Sequence, residues 1–291
     1  MRVVSINVNG LKRAAELGFF DWMREIDADV VCVQNLKGKV YDFDDEIFHP
    51  EGYQSYFIDA ENPEDGGVGI YTKHFPKAIM YGFAYGPADN EGRFIQADFE
   101  NVSVASMLAP NALGHPEKQA DKDAFQDAFL SHLEKTLRKR RQFIFAGSFN
   151  SAHLVMDASK KYHELDVSGF KAHEREWFDT VFEDFGYIDA FRQINVQKNQ
   201  YTWWPEWAKG WRKNSGWRTD FQITTQLMKN LIEDGFISSV TNVSNNFVYK
   251  ENLLIIEDVI NTYLVDFFDF KNQNFKMILP IYIIEKDQLI E

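Results

Sequence analysis

Seven short apolar runs, each bounded by turn residues, recur along the chain. They are Arg2–Val8 (RVVSINV), Asp29–Gln34 (DVVCVQ), Gly66–Thr72 (GGVGIYT), Arg93–Phe99 (RFIQADF), Val102–Leu108 (VSVASML), Arg141–Gly147 (RQFIFAG) and Thr219–Thr225 (TDFQITT). Apolar residues at a period of two with turns on either side predict β-strands. Helical spacing fills the gaps. Leu17, Phe20, Trp22 and Met23 follow Gly10 and predict a first helix. Pro116 sits where a first-turn proline belongs, and Phe125, Phe129, Leu133 and Leu137 follow it at four-residue intervals. The run His173–Gly186 (HEREWFDTVFEDFG) is acidic early and ends on a glycine stop. Strands outnumber helices and are interleaved with them, so the expected fold is a layered α/β sandwich.

The 291 residues, 45% hydrophobic and 15% aromatic, suffice for one large core, and no Gly/Ser or Pro-rich linker divides them. A body of residues 1–240 is followed by a segment, 241–291, that contains no Gly, Ala, Arg or His. That segment either partly completes the same sandwich or has been replaced relative to an ancestral end. Cys32 lies inside an apolar run and is expected to be an inert core thiol. With no second cysteine, no leader pattern and no apolar stretch of about 18 residues, a cytoplasmic location is expected. The net charge of −13 argues against a protein that grips nucleic acid alone, because phosphate neutralisation supplies most of that affinity.

Eight motifs, INVNG, DVVCVQN, GGVGIY, EGRFIQADF, AGSFN, HEREWFDTVF, YTWW and GWRTDFQI, occur in this order between residues 1 and 225. Together they resemble the exonuclease III-type AP endonucleases. The resemblance implies a four-layer αββα sandwich with its site at one end of two packed sheets. It also implies hydrolysis that uses a divalent ion, a water-activating aspartate, a C-terminal aspartate–histidine pair and a tyrosine near the scissile phosphate. Within the family, YDFDDEIFHPEGY, DAENPEDGGVGIYTK and the basic run before FIFAGS are most similar to a catalytically inactive branch, the catabolite repression control proteins.

Carried over residue by residue, the hydrolytic set is depleted. Asn35 stands where a metal-binding glutamate is expected, Leu108 replaces the tyrosine, and Ser148 replaces the water-activating aspartate; Asn7, Asn150 and Asp220 persist. No histidine follows His173, so the dyad cannot form. Losing one general base costs a factor of about 10² to 10⁴, and here four elements are absent together. The expectation is a non-enzyme with no cofactor and no metal. Asn7, Asn150 and Asp220 are expected to hydrogen-bond to one another and to loop backbone, a weak metal site being the alternative. His153 is expected to be structural, Trp203 and Trp204 to pack, and Trp207 and Trp211 to divide between packing and surface contact.

Lys135–Arg141 (KTLRKRR) places five cations in seven residues. A helix C-terminus accounts for part of this run; the excess suggests a contact surface of Arg138, Lys139, Arg140 and Arg141, with Lys77, Met156 and Arg192 as further candidates. The resemblance implies partners for it: the RNA chaperone Hfq and A-rich mRNA in a ternary complex that represses translation in carbon catabolite repression, with little RNA binding alone and possible self-association. The competing expectation is a divergent metal-dependent AP endonuclease or exonuclease.

Overall fold

The computed structural model describes residues 1–204, 214–239, 261–267 and 275–279. Trp207, Trp211 and most of the 241–291 segment lie outside them. Each of the seven expected strands is present: β1 (Val3–Asn7), β2 (Val30–Gln34), β4 (Val68–Thr72), β6 (Phe94–Asp98), β7 (Val102–Leu108), β8 (Gln142–Ser148) and β10 (Asp220–Thr224). Six others join them: β3 (Gln54–Ile58), β5 (Ala78–Tyr81), β9 (Ile188–Asp189), β11 (Ile232–Ser239), β12 (Asn261–Phe267) and β13 (Phe275–Leu279). They form a seven-stranded sheet in the order β11-β12-β13-β1-β2-β4-β3 and a six-stranded sheet in the order β5-β6-β7-β8-β10-β9. In the first, β13 and β2 flank β1 in parallel; in the second, β7 and β8 are parallel and β10 runs against β8.

Three apolar clusters define four layers. Helices α1 (Leu11–Glu16) and α2 (Phe19–Ile26) pack Phe19, Phe20, Trp22 and Met23 on Val4, Ile6, Val31 and Val33 of the first sheet. Between the sheets lie Val3, Val30, Cys32, Val68 and Ile70, facing Ile95, Ala97, Val104 and Ile144. Helices α4 (Gln119–Leu137) and α5 (Ala172–Asp179) cover the far face of the second sheet with Phe125, Phe129, Leu133, Trp177 and Phe178. Two short helices, α3 (Gly86–Asn90) and α6 (Ala190–Ile194), complete the set used below.

The expected first helix is two helices, because Gly18 adopts φ 90°, a left-handed conformation that ends α1 and restarts α2. Pro116 opens a 3₁₀ turn, Pro116–Lys118, ahead of α4 rather than its first turn. Leu137 is exposed at the end of α4. The third helix passes after Asp179 into a π turn, Thr180–Asp184, before Gly186 at φ 73°. Among the described residues no helix is long and apolar enough to cross a membrane.

Candidate functional site

The C-terminal ends of β1, β2, β7 and β8 and the N-terminal end of β10 meet at one end of the sandwich. A cleft of about 330 Å³ opens there, lined by Asn7, Asn35, Leu108 and Asn150 together with Asn9, Lys37, Glu64, Asp65, Arg93, Ala109, Asn111, Trp203 and Trp204. Ser148 and Asp220 lie beneath it, both fully buried. Sheet register explains the convergence: Leu108 pairs with Ser148 across β7 and β8, and Ser148 pairs with Asp220 across β8 and β10.

Ser148 is the hinge of this arrangement. Its hydroxyl donates to Asp220 Oδ1 at 2.5 Å and accepts from Asn7 Nδ2 at 3.1 Å, which links the two sheets. Asp220 Oδ2 accepts from Thr202 Oγ1 at 2.5 Å and Thr219 Oγ1 at 3.0 Å. Asn7 Oδ1 is taken by the Asn9 backbone N–H at 3.2 Å. One strand-step deeper, Ser5, Gln34 and Ser106 repeat the pattern: Ser5 Oγ donates to Gln34 Oε1 at 3.3 Å and Gln34 Nε2 to Ser106 Oγ at 3.0 Å. Toward the cleft the inter-sheet layer therefore changes from apolar to polar, and the groups named here are hydrogen-bonded. The buried Gln222 side-chain amide, two residues beyond Asp220 on the same face of β10, has no hydrogen-bond partner among the described residues.

A divalent ion of the sort the resemblance implies needs several charged or strongly polar oxygens. The residues here do not fit one. Asp220 is the single carboxylate among the matched positions, and both its oxygens already accept hydroxyl hydrogen bonds. Among the described residues no group of three or more His, Cys, Asp or Glu side chains could hold a metal. Leu108 presents alkyl carbon where a phenol would stand. Ser148 offers no general base, because a neutral hydroxyl oxygen is too weakly basic to take a proton from water at neutral pH.

Three of the asparagines have a backbone reason for their identity. Asn9, Asn35 and Asn150 leave their strands at φ 47°, 63° and 52°, a region Asn tolerates better than other side-chain-bearing residues. Asn150 donates to the backbone carbonyl of Ala109 at 2.6 Å, the loop-backbone bond expected from sequence, whereas Asn7 and Asp220 are joined through Ser148. Gly147 is equally constrained. A β-carbon there would lie 1.9 Å from Met107 O on β7.

Charged groups hold the loops that flank the cleft. Lys122 and Glu174 form a fully buried ion pair at 2.7 Å, and the ammonium also donates to Asn150 O at 2.8 Å. Arg218 makes a two-pronged contact with Asp157, at 2.8 and 2.9 Å, and reaches Asp189 at 2.6 Å. Burial alone would raise the Asp157 carboxyl, but the Arg218 and Arg192 guanidiniums outweigh it and hold it at about 2. His153 is buried, bonded to Asp179 at 2.7 Å and packed on Phe178 and Phe182, a structural environment. Trp204 donates to Asn214 Oδ1 at 3.1 Å, and Trp203 packs on Trp217 while both rings keep a side on the cleft.

The contact residues expected from sequence do not share one surface. Arg138–Arg141 precede β8 at its N-terminal end, and Ser148 is at the other, about 20 Å away by strand rise. At that far end Arg138 pairs with Glu134, Lys139 sits over the Phe143 ring, Lys77 pairs with Glu100, and Arg141 donates to the carbonyls of Phe99 and Glu100. Met156 belongs instead to the turn Val155–Asp157 near the cleft. Arg192 is nearly buried, its guanidinium shared among Asp157, Asn195 O and Gln197 O. This is a correction: Arg192 is a structural cation, not a surface contact, because its donors are spent inside the fold. Asn9, Lys37, Arg93 and Asn111 were not singled out from sequence. Asn9 alone had a usable signal, an asparagine closing a strand.

A family model described as the endonuclease/exonuclease/phosphatase family matches residues 4–237. An exodeoxyribonuclease of Bacillus subtilis (strain 168) is 32% identical over 241 residues, 82% of this chain and 94% of that one. A DNA-(apurinic or apyrimidinic site) endonuclease of Dictyostelium discoideum is 31% identical over 241 residues, 80% of this chain and 64% of its own length. Two solved structures share the fold. An AP endonuclease from Archaeoglobus fulgidus superposes with a TM-score of 0.77 at 21% identity, covering 92% of this chain and 99% of that one. The 3'-5' exonuclease NExo from Neisseria meningitidis does so with a TM-score of 0.78 at 20% identity, covering 92% and 100%. With its two sheets flanked by helices and its cleft at the strand ends, the chain belongs to the endonuclease/exonuclease/phosphatase family.

Proposed function

We propose that this chain is a non-hydrolysing member of its family that acts in translational repression, as a co-repressor of the catabolite repression control type. One observation carries the loss of hydrolysis: the Ser148 hydroxyl, at the position of the water-activating base, is fully buried and bonded to Asp220. A base must accept a proton from water at neutral pH, and a neutral alcohol oxygen is far too weakly basic to do so; buried and bonded as it is, the Ser148 hydroxyl supports a structural role. The regulatory part rests on the motif resemblance and on charge. A chain of net charge −13 with one local basic run binds RNA poorly by itself. It adds useful contacts once Hfq presents an A-rich strand, because linked weak sites gain from effective concentration. The test is a mobility shift of A-rich RNA with this protein, with and without Hfq. Binding confined to the ternary mixture, and weakened by Arg140→Glu with Arg141→Glu, supports the reading; its absence refutes it.

A second reading, a divergent AP endonuclease or exonuclease, draws on the nuclease relatives and on the retained Asp220. A nicking assay on abasic-site DNA with magnesium or manganese decides it. Turnover that Asp220→Ala abolishes would establish the enzyme.

A further inference from the structure

Phe75 is 83% exposed, the highest among the exposed large hydrophobic residues of the described chain. A ring this exposed is open to contact from a partner, and the charges around it decide of what kind. The local sequence holds it out. Pro76 follows, and a residue before proline is driven to extended backbone, which stops Phe75 from folding into a helical turn against the sheet. The loop crosses from β4 in one sheet to β5 in the other, anchored by Lys73 N on Asp29 O at 3.0 Å and Lys77 N on Asp98 O at 2.6 Å.

Those anchors fix which end of the molecule the ring occupies. Asp29 precedes β2, Asp98 ends β6, and Gln142 at the start of β8 donates to Asn101 O at 3.2 Å in the β6–β7 turn. Phe75 therefore stands at the end away from the cleft, the same end as Arg138–Arg141. Lys77, two residues on and at most about 7 Å along the chain, pairs with Glu100. The Glu100 backbone carbonyl in turn accepts from Arg141. Arg140 is exposed and makes no ion pair or hydrogen bond among the described residues. An exposed aromatic ring beside cations on an otherwise acidic protein matches what single-stranded nucleic acid needs: a face for a base and charges for the adjoining phosphates. Double-stranded nucleic acid would hide its base faces and leave the ring unused.

We propose that Phe75 is a stacking platform for one base of a single-stranded nucleic acid whose phosphates pass over Lys77, Arg140 and Arg141. The inference rests on the RNA-contact reading for its biological strand, and its test separates the two. Phe75→Ala and Phe75→Trp are made in the full chain; both should keep the wild-type melting temperature, since the ring buries little. Affinity for oligo(A) RNA is measured with Hfq, and ultraviolet crosslinking to oligo(A) is mapped with and without Hfq. The expected result is binding about tenfold weaker for Phe75→Ala, near-wild-type binding for Phe75→Trp, and a crosslink on the Phe75 peptide. An oligo(dA) strand should lose a similar factor, because stacking ignores the sugar. Unchanged affinity in Phe75→Ala overturns the inference and leaves the co-repressor reading standing. Weaker binding without a Phe75 crosslink also overturns it, since the ring would then touch protein. A Phe75 crosslink without any Hfq-dependent complex sinks the co-repressor reading alone. No complex and no crosslink sinks both.

Discussion

Lys122→Met is expected to destabilise the protein more than any exposed charge deletion, and the reason lies in what it leaves behind. Neither Lys122 nor Glu174 has solvent access, and their charged atoms are 2.7 Å apart. Burial lowers the Lys122 ammonium from its ordinary lysine value, and the Glu174 carboxylate opposes that fall. Methionine keeps the stem's volume and removes the cation. Glu174 would retain two backbone donors, Gly169 N at 2.7 Å and Lys171 N at 2.9 Å, but its charge would be uncompensated. Breaking one side of such a pair costs about 3 to 5 kcal/mol, and the four remaining donors, with Gln119 Nε2 at 3.2 Å and Ser168 Oγ at 3.4 Å beside the two backbone groups, argue for the lower figure. For a domain of this size that is a fall of about 6 to 12 °C in Tm. Pairing it with Glu174→Gln removes the stranded charge while its amide oxygen still accepts from Gly169 N. The double variant should then recover about 2 kcal/mol of the loss, a non-additivity that denaturant midpoints would resolve. If Lys122→Met with Glu174→Gln is as unstable as the sum of the singles, the stranded-charge argument is wrong.

Three further outcomes follow from the packing. His132 is buried among Phe83, Phe94, Phe129 and Phe145, and burial, then Lys139 and Lys135, pull its pKa down to about 4 from 6.5. Its folded value is the lower one, so between about 6.5 and 4 the unfolded chain binds the extra proton and stability falls as pH drops; the total is about 3 kcal/mol. Urea titrations of His132→Phe across that window should show a shallower acid limb than the parent. Gly147→Ala should abolish folding, judged by loss of the cooperative melt, because its β-carbon meets Met107 O rather than a movable side chain. Ser148→Ala removes the acceptor of Asn7 Nδ2 and the hydroxyl donor to Asp220 Oδ1 and should cost about 2 kcal/mol by chemical denaturation. RNA binding in the ternary mixture should be unchanged by it.

The strands that could be read from sequence were those rich in apolar residues, yet their periodicity meant something other than core against water. In β1, Val4 and Ile6 face helices while Val3 and Ser5 face the opposite sheet, so every position is buried. Strands β3 and β5 were missed because their mixture of exposed and half-buried residues, as in Gln54–Ile58, lacks that density. The proposed depletion of the site rests on functional groups that the sequence does show, an amide at 35, an alkyl at 108 and a hydroxyl at 148. What the hydroxyl does was not legible. Its bond to Asn7 spans 141 residues of sequence and depends on two sheets meeting in register. The same limit scattered the contact residues. Arg138 and Arg192 both read as contact cations, but only a folded chain reveals that one pairs with Glu134 and the other is walled in by Asp157. Ion pairs such as Lys122 with Glu174, 52 positions apart, give no local signal at all.

The Ser148–Asp220 contact also bears on history. Once a hydroxyl donates to Asp220, restoring an aspartate at 148 by a single change would set two carboxylates against each other in a site with no solvent. One of them would have to stay protonated or find a cation, and Asn35 offers no charge to help hold one. On the non-hydrolysing reading proposed above, a first step back toward hydrolysis would cost stability before it returned any activity. On that reading a substitution of this type would work as a ratchet, because a carboxylate at 148 would be a worse neighbour for Asp220 than the hydroxyl that stands there.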